Sequence, residues 1–162
     1  MAAEDEMEKV WSLVKRIGVA MLTSDDDGVL RSRPMAHAQK NFDGTLWFFT
    51  RAGSHKVSEL QQDQRVCVSY AEPDRQDYVS LSGTARLVRD AAEVDARWTE
   101  SARVWFPQGK DDPDLALLRV DVTQAEYWDA PNSTMLHVYG YAKARLTGEA
   151  PRPGGHEKVT VA

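Results

Sequence analysis

The sequence predicts a mainly β (α+β) fold, an antiparallel barrel with helices around it. Six or more short apolar or alternating segments recur along the 162 residues. Compact turn signals such as Asp27-Gly28 and Asp43-Gly44 separate the early segments, and only a few stretches have helical spacing. Because neighbouring parallel strands need a crossover of about a dozen residues, these short connections favour antiparallel pairing.

The first element is predicted to be an amphipathic helix over Glu4–Arg16. Its apolar residues recur at helical spacing, and its acids come early and its bases late, which complements the helix dipole. Gly18 indicates the end of this helix. Residues 17–23 are then predicted to form a short buried strand.

Two hairpins are expected next. Val29–Lys40 is predicted to return along the first strand, and Pro34, which has no N–H, places it at an edge or a bulge. Asp43-Gly44 is predicted to close a second hairpin, whose arms are Val29–Lys40 and Leu46–Arg51.

The second half of the chain is predicted to add further strands and two helices. The helices cover residues 54–62 and Ala91–Val104. Alternation or apolar runs predict strands at Arg65–Ala71, Tyr78–Val88, Ala116–Thr123, Ala125–Trp128 and Met135–Ala142. Residues 147–162, rich in proline and glycine near the end, are predicted to be a flexible tail after a single domain over residues 1–146.

Composition excludes several classes of partner. A net charge of −5 argues against nucleic acid, because phosphate neutralisation requires a basic face. With no apolar run of about 18 residues and no recognisable signal peptide, we expect no membrane association and a cytoplasmic location. The single cysteine, Cys67, lies between two valines, which fits a buried structural thiol; a redox role is the alternative.

Basic and hydroxyl side chains concentrate between Arg31 and Lys56. Arg31 and Arg33 are two residues apart, so both point to one face of a regular strand, and a guanidinium matches phosphate oxygens two at a time. Ser54, His55 and Lys56 would begin the short helix, where free N–H groups favour an anion. If the predicted hairpin joins its arms, both groups meet at one phosphate. The alternative is that these are solvated charges beside a turn.

Six segments, in this order, resemble one protein family. They are Arg31-Ser32-Arg33-Pro34-Met35, Leu46-Trp47-Phe48-Phe49-Thr50, Ser54-x-Lys56, Val66-x-Val68-Ser69-Tyr70-Ala71, Tyr78-Val79-Ser80-Leu81-Ser82-Gly83-Thr84-Ala85 and Glu126-Tyr127-Trp128. Together they resemble the general stress protein branch of the pyridoxamine 5'-phosphate oxidase-like, FMN-binding split-barrel superfamily. The resemblance covers roughly residues 5–140 and leaves the tail outside.

The resemblance implies an antiparallel six-stranded split β-barrel with flanking helices, and a homodimer with FMN at its interface. The strand at residues 31–35 would line the flavin, residues 49–50 would give backbone contacts, and residues 54–56 would bind the phosphate. Ser80 and Ser82 would approach the ring from the partner subunit, beside Trp128. The implied FMN-binding residues are Arg31, Ser32, Arg33, Pro34, Met35, Phe49, Thr50, Ser54, His55, Lys56, Ser80, Ser82 and Trp128. A core role for Trp128, and hydroxyls satisfied by the backbone for the two serines, are the alternatives.

One departure from the family limits the expected activity. True pyridoxamine phosphate oxidases follow the tryptophan strand with an Arg-x-His pair, but Met135 stands where the arginine is expected, and His137 aligns only with one extra residue. Methionine cannot pair with a substrate phosphate, so vitamin B6 oxidation is not expected. The resemblance implies a flavin-dependent oxidoreductase of unknown substrate. A flavin store or sensor without turnover, or a barrel that binds deazaflavin or haem, are the alternatives. No metal ligands are predicted.

Overall fold

The computed structural model describes residues 2–54, 64–129 and 155–160. Helix α1 spans Ala2–Ile17 and carries its basic residues in the last turn. It ends at Gly18, whose φ of 81° suits a residue without a Cβ. One face of the helix, formed by Val10, Leu13 and Val14, is buried and packs into the barrel. The predicted first helix is therefore confirmed, and it closes one end of the core.

Among the described residues, seven strands form one antiparallel sheet. They are β1 (Val19–Asp26), β2 (Val29–Ala36), β3 (Thr45–Arg51), β4 (Arg65–Glu72), β5 (Asp77–Val88), β6 (Leu115–Asp129) and β7 (Gly155–Thr160). Their hydrogen-bonded order is β2-β1-β4-β5-β6-β3, and β7 pairs with β6. The inner faces of the first six strands enclose one core with α1. The predicted class, an antiparallel six-stranded split barrel with flanking helices, is confirmed.

The predicted second hairpin is wrong. β2 pairs with β1, whereas β3 pairs with β6. Burial explains this choice: Leu46, Trp47 and Phe48 are at most 5% exposed, so β3 needs cover on both faces and finds it beside the equally buried β6. β2 is exposed along most of its length and stays at the edge of the sheet. The edge position expected for Pro34 is confirmed.

The two edge strands β2 and β3 approach each other at one end of the barrel. An isolated bridge joins His37 and Phe48, and the Ala38 N–H donates to the Trp47 carbonyl at 2.6 Å. Away from this bridge β2 and β3 are not hydrogen-bonded neighbours. We call the gap between them, from Met35 and Thr50 outward, the split.

A bulge between β5 and β6 joins two segments that the sequence predicts as separate strands. β6 runs without interruption from Leu115 to Asp129, and its register with β5 shifts between Ser82 and Gly83. A Cβ on Gly83 would lie 2.2 Å from the Asp121 carbonyl oxygen, so only glycine permits this close approach.

A second apolar cluster covers the outside of β3. Val94 of helix α2 (Ala91–Arg97) and Phe106 pack there, and the 3-10 turns Glu100–Val104 and Gly109–Asp111 precede and follow Phe106 in the chain. The helix predicted over Ala91–Val104 is thus shorter than expected, because Trp98 adopts an extended backbone and its ring packs against Phe49 at 5.8 Å.

Residues 155–160, within the segment predicted to be a flexible tail, form β7 instead. They pair with Gln124–Asp129, the part of β6 that lies beyond the end of β3 and would otherwise be an unpaired edge. The tail prediction is corrected for these six residues. The domain boundary at residue 146, the strand Met135–Ala142 and the helix after Ser54 lie outside the described residues. In the described part of the chain, every helix is too short or too polar to span a membrane.

Candidate functional site

The inner face of β2 presents the two predicted arginines. Arg33 lies opposite Leu22 and Arg31 lies opposite Ser24, and both partners are at most 1% exposed, so both arginines belong to the inner face of the sheet. Arg33 is half-buried there, and Arg31 is exposed. Arg33 Nη1 donates to Ser24 Oγ at 2.6 Å. Arg31 Nη1 pairs with Asp26 Oδ2 at 3.0 Å. The expectation that the two arginines share one face is confirmed.

The alternate residues of β2 face outward. Ser32 lies opposite Thr23, with 2.6 Å between the two hydroxyl oxygens, and Pro34 lies opposite Met21. Ser32 and Pro34 are both exposed. Met35 returns to the inner face and is buried. The segment predicted to line a flavin therefore divides its side chains between the two faces of the sheet.

The arginines and the turn after β3 lie on the two strands that border the split. The bridge pairs His37 with Phe48 in antiparallel sense. Outward from it, β2 carries Arg33 and Arg31, and β3 leads to Arg51 and the turn that ends at Ser54. The two segments of the predicted phosphate site therefore start from one bridge, although the strands do not form the predicted hairpin.

The turn at residues 51–54 is held from outside the predicted site by Asp114. The Ala52 N–H donates to the Asp114 carbonyl at 2.8 Å, and the Gly53 N–H donates to Asp114 Oδ1 at 3.0 Å. The Ser54 N–H donates to the Arg51 carbonyl at 3.1 Å. Ser54 Oγ is buried and has no hydrogen-bond partner among the described residues. His55 and Lys56 lie outside the described residues.

Phe49 and Thr50 have different surroundings. The Phe49 ring packs in the second cluster, 5.8 Å from Trp98 and 6.4 Å from Phe106 between ring centroids. Thr50 is 3% exposed and shares the inner face with Phe48. The Phe49 ring is therefore committed to packing, so any ligand contact by this residue would come from its backbone, as the sequence predicts.

The remaining predicted residues come together on the outer face of β5 and β6. Ser80 and Ser82 alternate with the buried Val79 and Leu81, and Trp128 lies opposite Tyr78 on the same outer face. Trp128 is half-buried and outside the interior cluster of buried residues. The alternative that places Trp128 in the barrel core is therefore not supported.

Cys67 also lies on this outer face, where it is half-buried. Its Sγ is 3.6 Å from Ser80 Oγ. One row of side chains thus runs across the sheet from Ser32 through Thr23 and Cys67 to Ser82. The thiol predicted to be fully buried is instead part of a polar outer row.

The predicted residues form two groups on opposite faces of one sheet. The first group lies on the inner face at the split and contains Arg31, Arg33, Met35 and Thr50. The second faces outward and contains Ser80, Ser82 and Trp128, together with Ser32 and Pro34 on the edge strand. Within one chain, the sheet separates Arg31 and Arg33 on the inner face of β2 from Ser80, Ser82 and Trp128 on the outer face of β5 and β6.

Two residues that position the split carry no local sequence signal. Ser24 is buried beneath the arginines, and its alternation within β1 indicates burial but no partner. Asp114 follows a loop proline, and its role depends on contacts with residues about 60 positions away. Only the fold shows these contacts.

A buried polar pair lies at the opposite end of the split, beneath α1. His37 contacts Trp11 at 5.5 Å and Tyr70 at 6.5 Å between ring centroids. His37 Nδ1 and the Tyr70 hydroxyl are buried and lack hydrogen-bond partners within residues 2–54, 64–129 and 155–160. Burial lowers the pKa of His37 and raises the pKa of Tyr70, because both charged forms lose hydration there.

Comparison with solved structures supports this architecture. The crystal structure of the general stress FMN/FAD binding protein from Xanthomonas citri aligns with a TM-score of 0.71 and 33% identity, covering 80% of this chain and 92% of that one. A crystal structure assigned to general stress protein 26 from Jannaschia sp. CCS1 aligns with a TM-score of 0.76 and 28% identity, covering 99% of this chain and 100% of that one.

Sequence comparison identifies the same family. General stress protein 26 of Bacillus subtilis is 26% identical over 141 residues, which cover 83% of this chain and 96% of that protein. The family described as pyridoxamine 5'-phosphate oxidase like matches residues 5–152 of this chain. The chain belongs to the pyridoxamine 5'-phosphate oxidase-like family, among relatives named general stress protein.

Proposed function

We propose that this protein is a homodimeric FMN-binding general stress protein that acts as a flavin-dependent oxidoreductase. The observation that carries the proposal is that Arg31 and Arg33 on β2 and the turn at Ser54 after β3 both extend from the bridge between His37 and Phe48. Two guanidinium groups and a buried hydroxyl that has no hydrogen-bond partner in the described part of the chain suit an anion such as a phosphate monoester.

The residues at the split fit the phosphate end of FMN. Buried polar atoms in folded proteins nearly always have a partner, so the unpartnered Ser54 Oγ is a position where a ligand oxygen would be accommodated. Arg31, Arg33 and Ser54 would hold the phosphate, together with His55 and Lys56 from the predicted helix start. Thr50 and the backbone at Phe49 would contact the ring.

The opposite orientation of the two groups supports a dimer. If FMN contacts both the residues at the split and the outward-facing Ser80, Ser82 and Trp128, a second copy must supply one of the groups. The outer face also exposes Val19 and Met21, at 56% and 41%. A two-fold dimer that covers this face would create two equal sites.

The FMN assignment is also supported by a relative. The Xanthomonas citri protein, 33% identical, is described as an FMN/FAD binding protein. We propose FMN because the arginines and Ser54 account for one phosphate.

When bound, the flavin supplies hydride or electron transfer. This chain's residues would bind and orient it: the arginines fix the phosphate, and the outer serines offer hydroxyls to the ring. None of the proposed outer contacts, Ser80, Ser82 and Trp128, titrates near neutral pH, which favours a second candidate, a flavin store or sensor without turnover. A barrel that binds deazaflavin instead is the remaining candidate.

Absorbance of the purified protein tests binding, and reduction tests turnover. Flavin bands that become those of free FMN on denaturation support the proposal, whereas a colourless protein that ignores added FMN contradicts it. Loss of the flavin bands on anaerobic addition of NADH or NADPH would identify an oxidoreductase. Persistent bands with both donors would favour the store or sensor.

A further inference from the structure

The turn at residues 51–54 carries three backbone N–H groups that would be natural donors to a phosphate. All three are already used within the protein. Those of Ala52 and Gly53 donate to Asp114, at 2.8 Å and 3.0 Å, and that of Ser54 donates to the Arg51 carbonyl at 3.1 Å. A ligand phosphate at this turn must therefore be met by side chains, beginning with the Ser54 hydroxyl, which has no hydrogen-bond partner among the described residues.

Asp114 holds this turn through its backbone and its carboxylate together. Its carbonyl fixes Ala52, Oδ1 fixes Gly53, and Oδ2 lies 3.5 Å from Arg51 Nη1. Asp114 is itself anchored, because its N–H donates to Oδ1 of the buried Asp112 at 2.9 Å. Two loops distant in sequence are thereby locked together just before the predicted anion-binding residues.

Arg51 is the alternative phosphate ligand on this turn, but its guanidinium is directed elsewhere. Nη2 donates to the Trp105 carbonyl at 2.5 Å, and the guanidinium carbon lies 4.9 Å from the centre of the Phe106 ring. These contacts hold Arg51 against the outside of β3, whereas Arg31 and Arg33 belong to the inner face of the sheet.

We propose that Asp114 is a positioning residue for the phosphate-binding turn, setting Ser54 in place at the split without touching the ligand. This inference rests on the proposed function, because it assigns the phosphate end of the same site. It predicts an acidic residue that strengthens binding of an anion, the opposite of what direct electrostatics at the ligand would give.

The experiment compares two ligands that differ only in the phosphate, FMN and riboflavin, on four proteins: wild type, Asp114→Ala, Asp114→Asn and the control Asp121→Ala. Asp121 is a fitting control because its carboxylate is similarly exposed (44%, against 40% for Asp114) and is likewise ion-paired with arginine, but lies away from the turn. Dissociation constants come from quenching of flavin fluorescence, and thermal unfolding without ligand reports stability separately.

Asp114→Ala should weaken FMN binding by about tenfold or more and riboflavin binding by less than about threefold, because only the phosphate end loses its support. Asp114→Asn should restore FMN affinity to within about threefold of wild type, since its amide oxygen still accepts from Gly53 and the lost exposed ion pair contributes little. Asp121→Ala should bind both ligands as wild type does.

A purely structural role would weaken both ligands equally in Asp114→Ala, and an unchanged ratio of FMN to riboflavin affinity would overturn the inference. If Asp114→Asn binds FMN as weakly as Asp114→Ala does, the inference is also overturned. If the wild type binds FMN, only the role of Asp114 fails in these cases. A wild type that binds neither flavin would overturn the proposed function and this inference with it.

Discussion

Replacement of Arg33 by alanine should weaken FMN binding by about 1.5–3 kcal/mol, the range of a hydrogen bond to a charged group. That corresponds to about a tenfold to 150-fold rise in Kd. Arg33 is half-buried on the inner face, where it is less screened than a surface charge, and its bond to Ser24 directs the guanidinium at the split. Lys56→Ala should fall in the same range, from its predicted place at the helix start.

The assay is titration of ligand-free protein with FMN, followed by flavin fluorescence, with unfolding measured in parallel. Arg86→Ala is the matched control, because Arg86 is an exposed arginine on β5 whose carboxylate neighbour is Asp121, away from the split. Wild-type affinity in both Arg33→Ala and Lys56→Ala would refute the reasoning and place the phosphate elsewhere.

Two further predictions concern the barrel itself. Gly83→Ala should lower the free energy of unfolding, measured in urea, by about 1–3 kcal/mol, because its Cβ would lie 2.2 Å from the Asp121 carbonyl oxygen. Gly53→Ala is the control, since its Cβ would meet only Asp114 Oδ1 at 3.6 Å. Equal urea midpoints for the two variants would contradict this prediction. Burial lowers the pKa of His37, so below about pH 6.5 the unfolded chain takes up a proton that the folded chain resists, and stability should fall. Urea midpoints from pH 8 to pH 5 should fall more for wild type than for His37→Gln, and parallel curves would contradict this.

Local patterns in the sequence predict most elements but not how they pair. The alternation of β4 and the apolar runs of β1 and β6 are visible in the sequence, whereas the bulge at the glycine inside β5 is seen only in the register of the paired strands. The partner of β3 is not visible, because a turn at Asp43-Gly44 is compatible with a hairpin and with an edge of the split. The pairing partner of β3 is decided by the burial of both faces of this strand, which depends on the whole barrel.

The candidate site likewise combines features that the sequence predicts with features that only the fold shows. The shared face of Arg31 and Arg33 follows from a spacing of two residues, and the fold agrees with it. The contribution of Asp114 depends on contacts between distant loops, which no spacing encodes. The end of α2 at Trp98 was also unpredictable, because packing of its ring on Phe49 outweighs local helix propensity.

The central claim is that two copies of the chain share each flavin, and complementation between two variants tests it most directly. Arg33→Glu disables the inward-facing group, and Ser82→Arg blocks the exposed outward-facing group. Each variant alone should bind almost no FMN. After unfolding and refolding of an equal mixture, half of the dimers contain both variants and each of these has one intact site, so about a quarter of the wild-type FMN capacity should return. A mixture that binds no more FMN than the separate variants would contradict a site shared between two copies.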